Sequence, residues 1–227
     1  IPDPPPRDGH VVGVDVGIKH LAVTSDGEVF ENPRALRAAE DRLRRSQRSV
    51  SRKQKGSQNR RKAAAQVARL HYRIGNVRKD ALHKASSSIV KSADVVVLES
   101  LNVSGMLRNR CLSKALSDAS VSELHRQIEY KAQWRGVLVL KADRFFPSSK
   151  TCSCCGHIKT DLALGDRVFE CSACGLAIDR DLNAAINLRN WAVSSTVTAC
   201  GEEGSGPGCT TWTKPASMKQ ELNTNWG

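Results

Sequence analysis

The stretch CSCCGHIKTDLALGDRVFECSACGLAIDRDLNAA, residues 152–185, decides the reading of this chain. It holds two Cys-x-x-Cys pairs, Cys152/Cys155 and Cys171/Cys174, with 15 residues between them. Gly156 and Gly175 each follow the second thiol of a pair. The chain must turn sharply there, and glycine tolerates that backbone. The spacing predicts a four-cysteine zinc site, closed by four thiolates and therefore structural. Residues 157–170 fit a short hairpin, with Leu162-Ala163-Leu164 and Val168-Phe169 as its strands. Cys154 lies beside Cys155 and could compete as a ligand; the glycine pattern favours Cys152 and Cys155 and leaves Cys154 a free thiol. Directly after the module, Asp179-Arg180-Asp181 opens a helix expected to reach about Ala192.

Working outward, the other acids sit on apolar runs. HVVGVDVGIKHLAV, residues 10–23, reads as a strand buried on both faces, with Asp15 in its middle. It leads to Asp26-Gly27, a hairpin signal before a further strand. Residues 93–100 form a second buried strand that brings Glu99 to its end. Residues 120–136 read as an amphipathic helix stopped by Gly136, and VLVLKADRFF, residues 137–146, as another strand. The order predicts an α/β fold, a mixed sheet flanked by helices. A buried unpaired carboxylate such as Asp15 is costly and needs a cation or donors. Glu99 and Asp181 taken singly have plainer readings, an exposed strand end and a helix N-cap. If Asp15, Glu99 and Asp181 converge, their repulsion is relieved by divalent cations. Oxygen-only ligands favour magnesium or manganese, and two such ions about 4 Å apart suit phosphodiester cleavage.

The chain has 227 residues and a net charge of +12. Between Arg34 and Lys79 there are 16 Lys/Arg against the acids Glu40 and Asp41, so this stretch carries +14 and the remainder about −2. Residues from about 34 to 90 read as a basic helical hairpin bent at Lys55-Gly56-Ser57. Charge of this density points to a polyanion partner. Arg44, Arg45, Arg48, Arg52, Lys53, Lys55, Arg60, Arg61 and Lys62 are the candidate contacts. No apolar run reaches the length of a membrane span, and none reads as a signal peptide. Five of the eight cysteines cluster in 23 residues, a metal-binding pattern suited to a reducing cytoplasm. Cys111, Cys200 and Cys209 receive no role. The first residue is Ile1, and the proline-rich start reads as a linker from something upstream.

Four segments in this order, VVGVDVGIKHLAV, VVVLESLNVSGM, SSKTCSCCG and CSACGLAIDRDLNAAINL, resemble the OrfB/TnpB proteins of bacterial insertion sequences. The resemblance spans roughly residues 10–192. It implies an RNase H-like (RuvC) nuclease core with an inserted zinc ribbon. It implies an RNA-guided DNA endonuclease, long described as a transposase, with Asp15, Glu99 and Asp181 as catalytic acids holding two Mg or Mn ions. Asp179 does not match the catalytic position. The zinc ligands map to Cys152, Cys155, Cys171 and Cys174. DNA and, in the full-length protein, a guide RNA are the implied partners, with action at the nucleoid. The expected domains are a linker at 1–9, a nuclease core at 10–147, the ribbon at 148–178, the last core helix at 179–193 and a disordered tail at 194–227. The guide-gripping N-terminal half of the family is absent from this sequence. A non-catalytic, zinc-containing nucleic-acid-binding or transposition-regulating module is therefore the alternative. A structure-selective resolvase on the same fold is a weaker third.

Overall fold

The computed structural model describes residues 9–163 and 165–199, with side chains to Ser194. The linker at 1–8 and the tail beyond 199, with Cys200 and Cys209, lie outside the described residues.

The apolar run at residues 10–23 forms two strands rather than one. β1 (Val11–Asp15) and β2 (His20–Thr24) pair antiparallel, with Val14 opposite Thr24 and Asp15 opposite Val23. The break at Val16–Lys19 contains Gly17, and it moves Asp15 from mid-strand to a strand end. Asp26 and Gly27, at φ 85°, turn the chain into β3 (Val29–Glu31). β4 (Val95–Glu99) lies parallel to β1, and β5 (Leu138–Ala142) lies parallel to β4. The sheet order is β3-β2-β1-β4-β5, so the two acid-bearing strands are adjacent at its centre. Both are buried over their first four residues, which explains their valine-rich sequences.

The basic segment is a helical hairpin: α1 (Ala35–Ser51), a turn at 52–57, and α2 (Gln58–Ser92). The 35 residues of α2 extend about 52 Å. Leu82, Ala85, Ile89 and Val90 bury the C-terminal half of α2 against the sheet and α5 (Val121–Arg135). Its N-terminal half contacts mainly α1. Two short helices that the sequence reading did not contain, α3 (Val103–Met106) and α4 (Arg110–Ala119), follow Glu99. α4 supplies Asp118, whose buried carboxylate accepts from Leu36 N (3.0 Å) and Arg37 N (3.2 Å) and pairs with Arg78 of α2 (2.9 Å). α1 has no cap from its own sequence, and Asp118 satisfies its first amides from 82 residues away.

The opposite face of the sheet is covered by α6 (Arg180–Ala199), which continues seven residues past the expected end at Ala192. Leu188 and Ala192 pack with Val11, Val95 and Val97. α6 lies so close to β1 that a Cβ on Gly13 would overlap Ala185 O and stand 2.6 Å from Arg189 N.

The cysteine module pairs differently from the expectation. β6 (Val168–Glu170) ladders with β7 (Ala177–Asp179), across the second knuckle, and Leu162-Ala163 takes no strand. Thr151 bridges to Ile158 across the first knuckle. Each knuckle folds its flanks together, so each Cys pair closes its own short hairpin.

Candidate active site and cysteine centre

Both knuckles have the same hydrogen bonds. Gly156 N donates to Cys152 O (2.9 Å), and Gly175 N donates to Cys171 O (3.0 Å). Both glycines sit at φ 75°, which a side chain would strain. Cys152 and Cys171 are buried with Phe169, while Cys155 and Cys174 face outward. The four sulfurs lie within 4.8 Å of one another, with Cys152–Cys174 and Cys155–Cys171 both at 3.6 Å. Tetrahedral zinc with Zn–S bonds of about 2.3 Å sets sulfurs roughly 3.8 Å apart, so the quartet fits that ion. The Cys174 backbone N–H, with that of Ala173, holds the Cys171 thiol down at about 6, ready to ligate as thiolate. The Leu176 N–H pulls Cys174 the same way, but the crowding sulfur of Cys155 and burial push it up to about 12. A cation among these sulfurs relieves that crowding. Cys154 is exposed and outside the quartet.

The three acids face one cleft of about 750 Å³ at the ends of β1 and β4 and the start of α6. Asp15 closes β1, and its carboxyl is held well above the usual carboxylate range. Burial is the main cause, followed by the charges of Glu99 and Asp181. Arg180 opposes the rise and Asp179 adds to it. Glu99, on the neighbouring strand, accepts a hydrogen bond from Ser148 Oγ. Asp181 is freed from the capping duty its position suggested. Asp179 Oδ1 caps α6 instead, accepting from Asp181 N (2.9 Å) and Leu182 N (3.2 Å). Among the described residues only the cysteine quartet has its ligand atoms all within 4.8 Å of one another. The carboxylates share a cleft and a field without being drawn to that span. An all-oxygen, mutually repelling set with one member held toward its protonated form fits hard divalent cations.

Several positioning residues escaped the sequence reading. Asn187 Nδ2 donates to Ser148 O (2.7 Å) and Thr151 O (2.6 Å). Asn183, one turn earlier, donates to Thr151 O (2.7 Å) and accepts from Ser153 N (3.0 Å). Two buried asparagines four apart on α6 thus fasten the entrance of the cysteine module, and with it Ser148, beside the cleft. Arg34 lines the cleft at φ 44°, a costly backbone for a residue with a Cβ.

Of the basic candidates, Arg44, Arg45, Arg48, Arg52, Lys55, Arg61 and Lys62 are exposed. Arg44 pairs with Asp41 (2.7 Å). Lys53 is half-buried, and Arg60 turns inward, donating to Val50 O (3.3 Å) and Lys53 O (3.2 Å) at the end of α1.

A mixed sheet with helices on both faces, adjacent central acids and a four-cysteine insertion before the last helix defines an RNase H-like core with a four-cysteine ribbon. The chain matches the OrfB/TnpB family over most of its length, through two adjoining family models. The OrfB_IS605 family, described as probable transposase, matches residues 2–110, and the Cas12f1-like TNB domain matches residues 122–188. A Streptomyces pristinaespiralis protein named "Putative RNA-guided DNA endonuclease" is 43% identical over 218 residues, covering 96% of this chain and 54% of its own length. Escherichia coli K12 InsQ, which carries the same description, is 34% identical over 207 residues, 85% of this chain and 51% of its own. A Cas12f1 chain from a cryo-EM structure of the Cas12f1-sgRNA-target DNA complex superposes with a TM-score of 0.60 at 20% identity, covering 82% of this chain and 50% of that one. The chain spans about half the length of the curated relatives it matches. Among the described residues no helix is long and apolar enough to cross a membrane.

Proposed function

We propose that this chain carries the nuclease core of an RNA-guided DNA endonuclease, cutting phosphodiesters with divalent metal at Asp15, Glu99 and Asp181. The observation that carries the reading is the convergence of Asp15, Glu99 and Asp181 on one cleft, from the ends of the adjacent strands β1 and β4 and the first turn of α6. Divalent ions bound there, Mg or Mn, would supply charge neutralisation and Lewis acidity at the phosphate. The chain's own residues prepare the site. Ser148 orients Glu99, Asp179 takes the helix cap so that Asp181 stays available, and Arg180 places positive charge beside the acids. Zinc at Cys152, Cys155, Cys171 and Cys174 would hold the ribbon, and β7 runs directly into α6. The exposed cations of α1 and α2 suit sequence-independent backbone contacts with DNA or guide RNA.

A non-catalytic nucleic-acid-binding module is favoured by one observation: among the described residues the cysteines, and not the three carboxylates, bring their ligand atoms within 4.8 Å of one another. One experiment separates the two. The purified chain is given magnesium and single-stranded DNA, with and without co-purified RNA, beside Asp15→Ala and Asp181→Ala. We expect magnesium-dependent product from the parent and none from either variant, with zinc content and folding unchanged. Cleavage retained by both variants refutes the acid assignment, and salt-dependent binding without product selects the alternative.

A further inference from the structure

The loop leaving β5 holds two adjacent phenylalanines in opposite roles. Phe146 turns inward, 6.4 Å from Trp191, and joins the core beneath α6. Phe145 is 84% exposed, the most exposed large hydrophobic side chain among the described residues. The loop is fixed at both ends. Asp143 Oδ1 accepts from Phe145 N (2.7 Å), and Asp143 O accepts from Phe146 N (3.1 Å), an Asx-type turn. Ala142, just before the turn, sits opposite Glu99 in the ladder, and Ser148, just after it, donates to Glu99. The ring is thus presented from a braced turn whose two ends both touch a cleft acid. The Arg144 guanidinium carbon lies 5.7 Å from the centroid of the Phe145 ring. Arg144 also lines a recess of about 420 Å³ shared with Glu99, Asn102 and Met106. Among the described residues no carboxylate forms an ion pair with Arg144.

We propose that Phe145 and Arg144 form a stacking platform for an unpaired base of the DNA strand entering the carboxylate cleft. The inference rests on the nuclease reading for the identity of that strand. An exposed aromatic ring backed by a cation matches a polyanion that carries flat, apolar bases. Phe145 supplies a face to the base, and Arg144 supplies charge to the neighbouring phosphate. Stacking of this kind tolerates any base sequence.

The test measures binding of a fluorescent thymidine oligonucleotide to the full chain carrying Asp181→Ala, which blocks cutting. Phe145→Ala, whose side chain contributes little to the core, is expected to weaken binding about tenfold with the salt dependence unchanged. Phe145→Trp is expected to retain parental affinity, and Arg144→Gln to flatten the salt dependence by about one phosphate contact. On an oligonucleotide of abasic sites the Phe145→Ala difference should vanish. Equal affinity of Phe145→Ala and its parent overturns the platform. So does a loss that persists undiminished on abasic DNA, a Phe145 dependence seen only with RNA, or no binding by the parent. Magnesium-dependent cutting by the intact chain is scored separately. Phe145-dependent binding without cutting leaves the platform standing and removes the nuclease; cutting with Phe145-independent binding does the reverse.

Discussion

In the cysteine centre each pair of ligands comes from one tight turn, and the two turns lie 15 residues apart. In the carboxylate cleft, three acids arrive from β1, β4 and α6, separated by 84 and 82 residues. The first is organised by local backbone: two glycines at positive φ and two amide–carbonyl bonds. The second exists only because a sheet register, a helix–strand contact and a helix cap agree. Short-range chemistry therefore sets the ribbon, and global packing sets the cleft. The two should fail independently when perturbed at the right places.

The largest effect is expected at Gly13. A methyl there would run into two backbone atoms of α6, Ala185 O and Arg189 N, and backbone cannot swing aside as a side chain can. Gly13→Ala is expected to cost about 3 kcal/mol or more, read by denaturant unfolding. It should also abolish cleavage by moving Asp181 away from Asp15, while the knuckles keep their metal. Loss of zinc together with cleavage would show that the two regions are one cooperative unit.

Metal removal is the converse. Phe169, Cys152 and Cys171 are the buried core of the module, too few to hold it without an ion. Chelation is expected to erase hydrogen-exchange protection across β6 and β7 while β1 and β4 stay protected. Cleavage should fall as well, because Asp179 both ends β7 and caps α6. Protection that survives chelation would mean the hairpins stand unaided.

Asp15 gives a smaller effect with a defined sign. Its folded value is raised above the unfolded one, so the native state favours the protonated acid. Its contribution to stability is therefore best below the ordinary carboxylate range. It declines as pH climbs from the unfolded value through the raised folded value, then stays low. Without divalent ions, Asp15→Asn should melt a few degrees above the parent at neutral pH, and the gap should close in acid. Magnesium should raise the melting temperature of the parent and leave that of the variant unmoved. An Asp15→Asn variant less stable than its parent at neutral pH would contradict the crowding that defines the cleft.

The difference between the regions also explains what could be read from sequence. Cysteine spacing and the following glycines located the quartet, because both encode backbone geometry within a few residues. Valine-rich runs marked β1 and β4 as buried strands, but they put Asp15 in mid-strand, and only the break at Val16–Lys19 brings it to the end of β1. Strand register in the ribbon was misjudged, because β6 skips Leu162-Ala163 and pairs forward across the knuckle. The capping of α1 by Asp118 was invisible, since no local pattern announces a partner 82 residues away. Composition does not tell Asp179 from Asp181; the family motif singles out Asp181, and the cap geometry gives Asp179 its own duty. The paired asparagines on α6 were legible in principle as polar residues one turn apart inside an apolar helix face.

Those asparagines test the seam between the two regions and give the smallest effect. Asn187 is buried and satisfies the carbonyls of Ser148 and Thr151. Thr151 O keeps Asn183 if Asn187 is removed, so the loss falls on Ser148 O. Asn187→Ala is expected to cost about 1–2 kcal/mol, one unsatisfied buried acceptor plus a small void. Ser148 should then hold Glu99 less firmly, so the magnesium concentration needed for half-maximal cleavage should rise several-fold at constant zinc content. The matched Asn183→Ala frees Ser153 N, at the first knuckle, and should disturb the ribbon more than the magnesium requirement. If both variants shift the magnesium requirement equally, the ribbon entrance acts as a single rigid strut. The division between local and assembled sites would then end at α6.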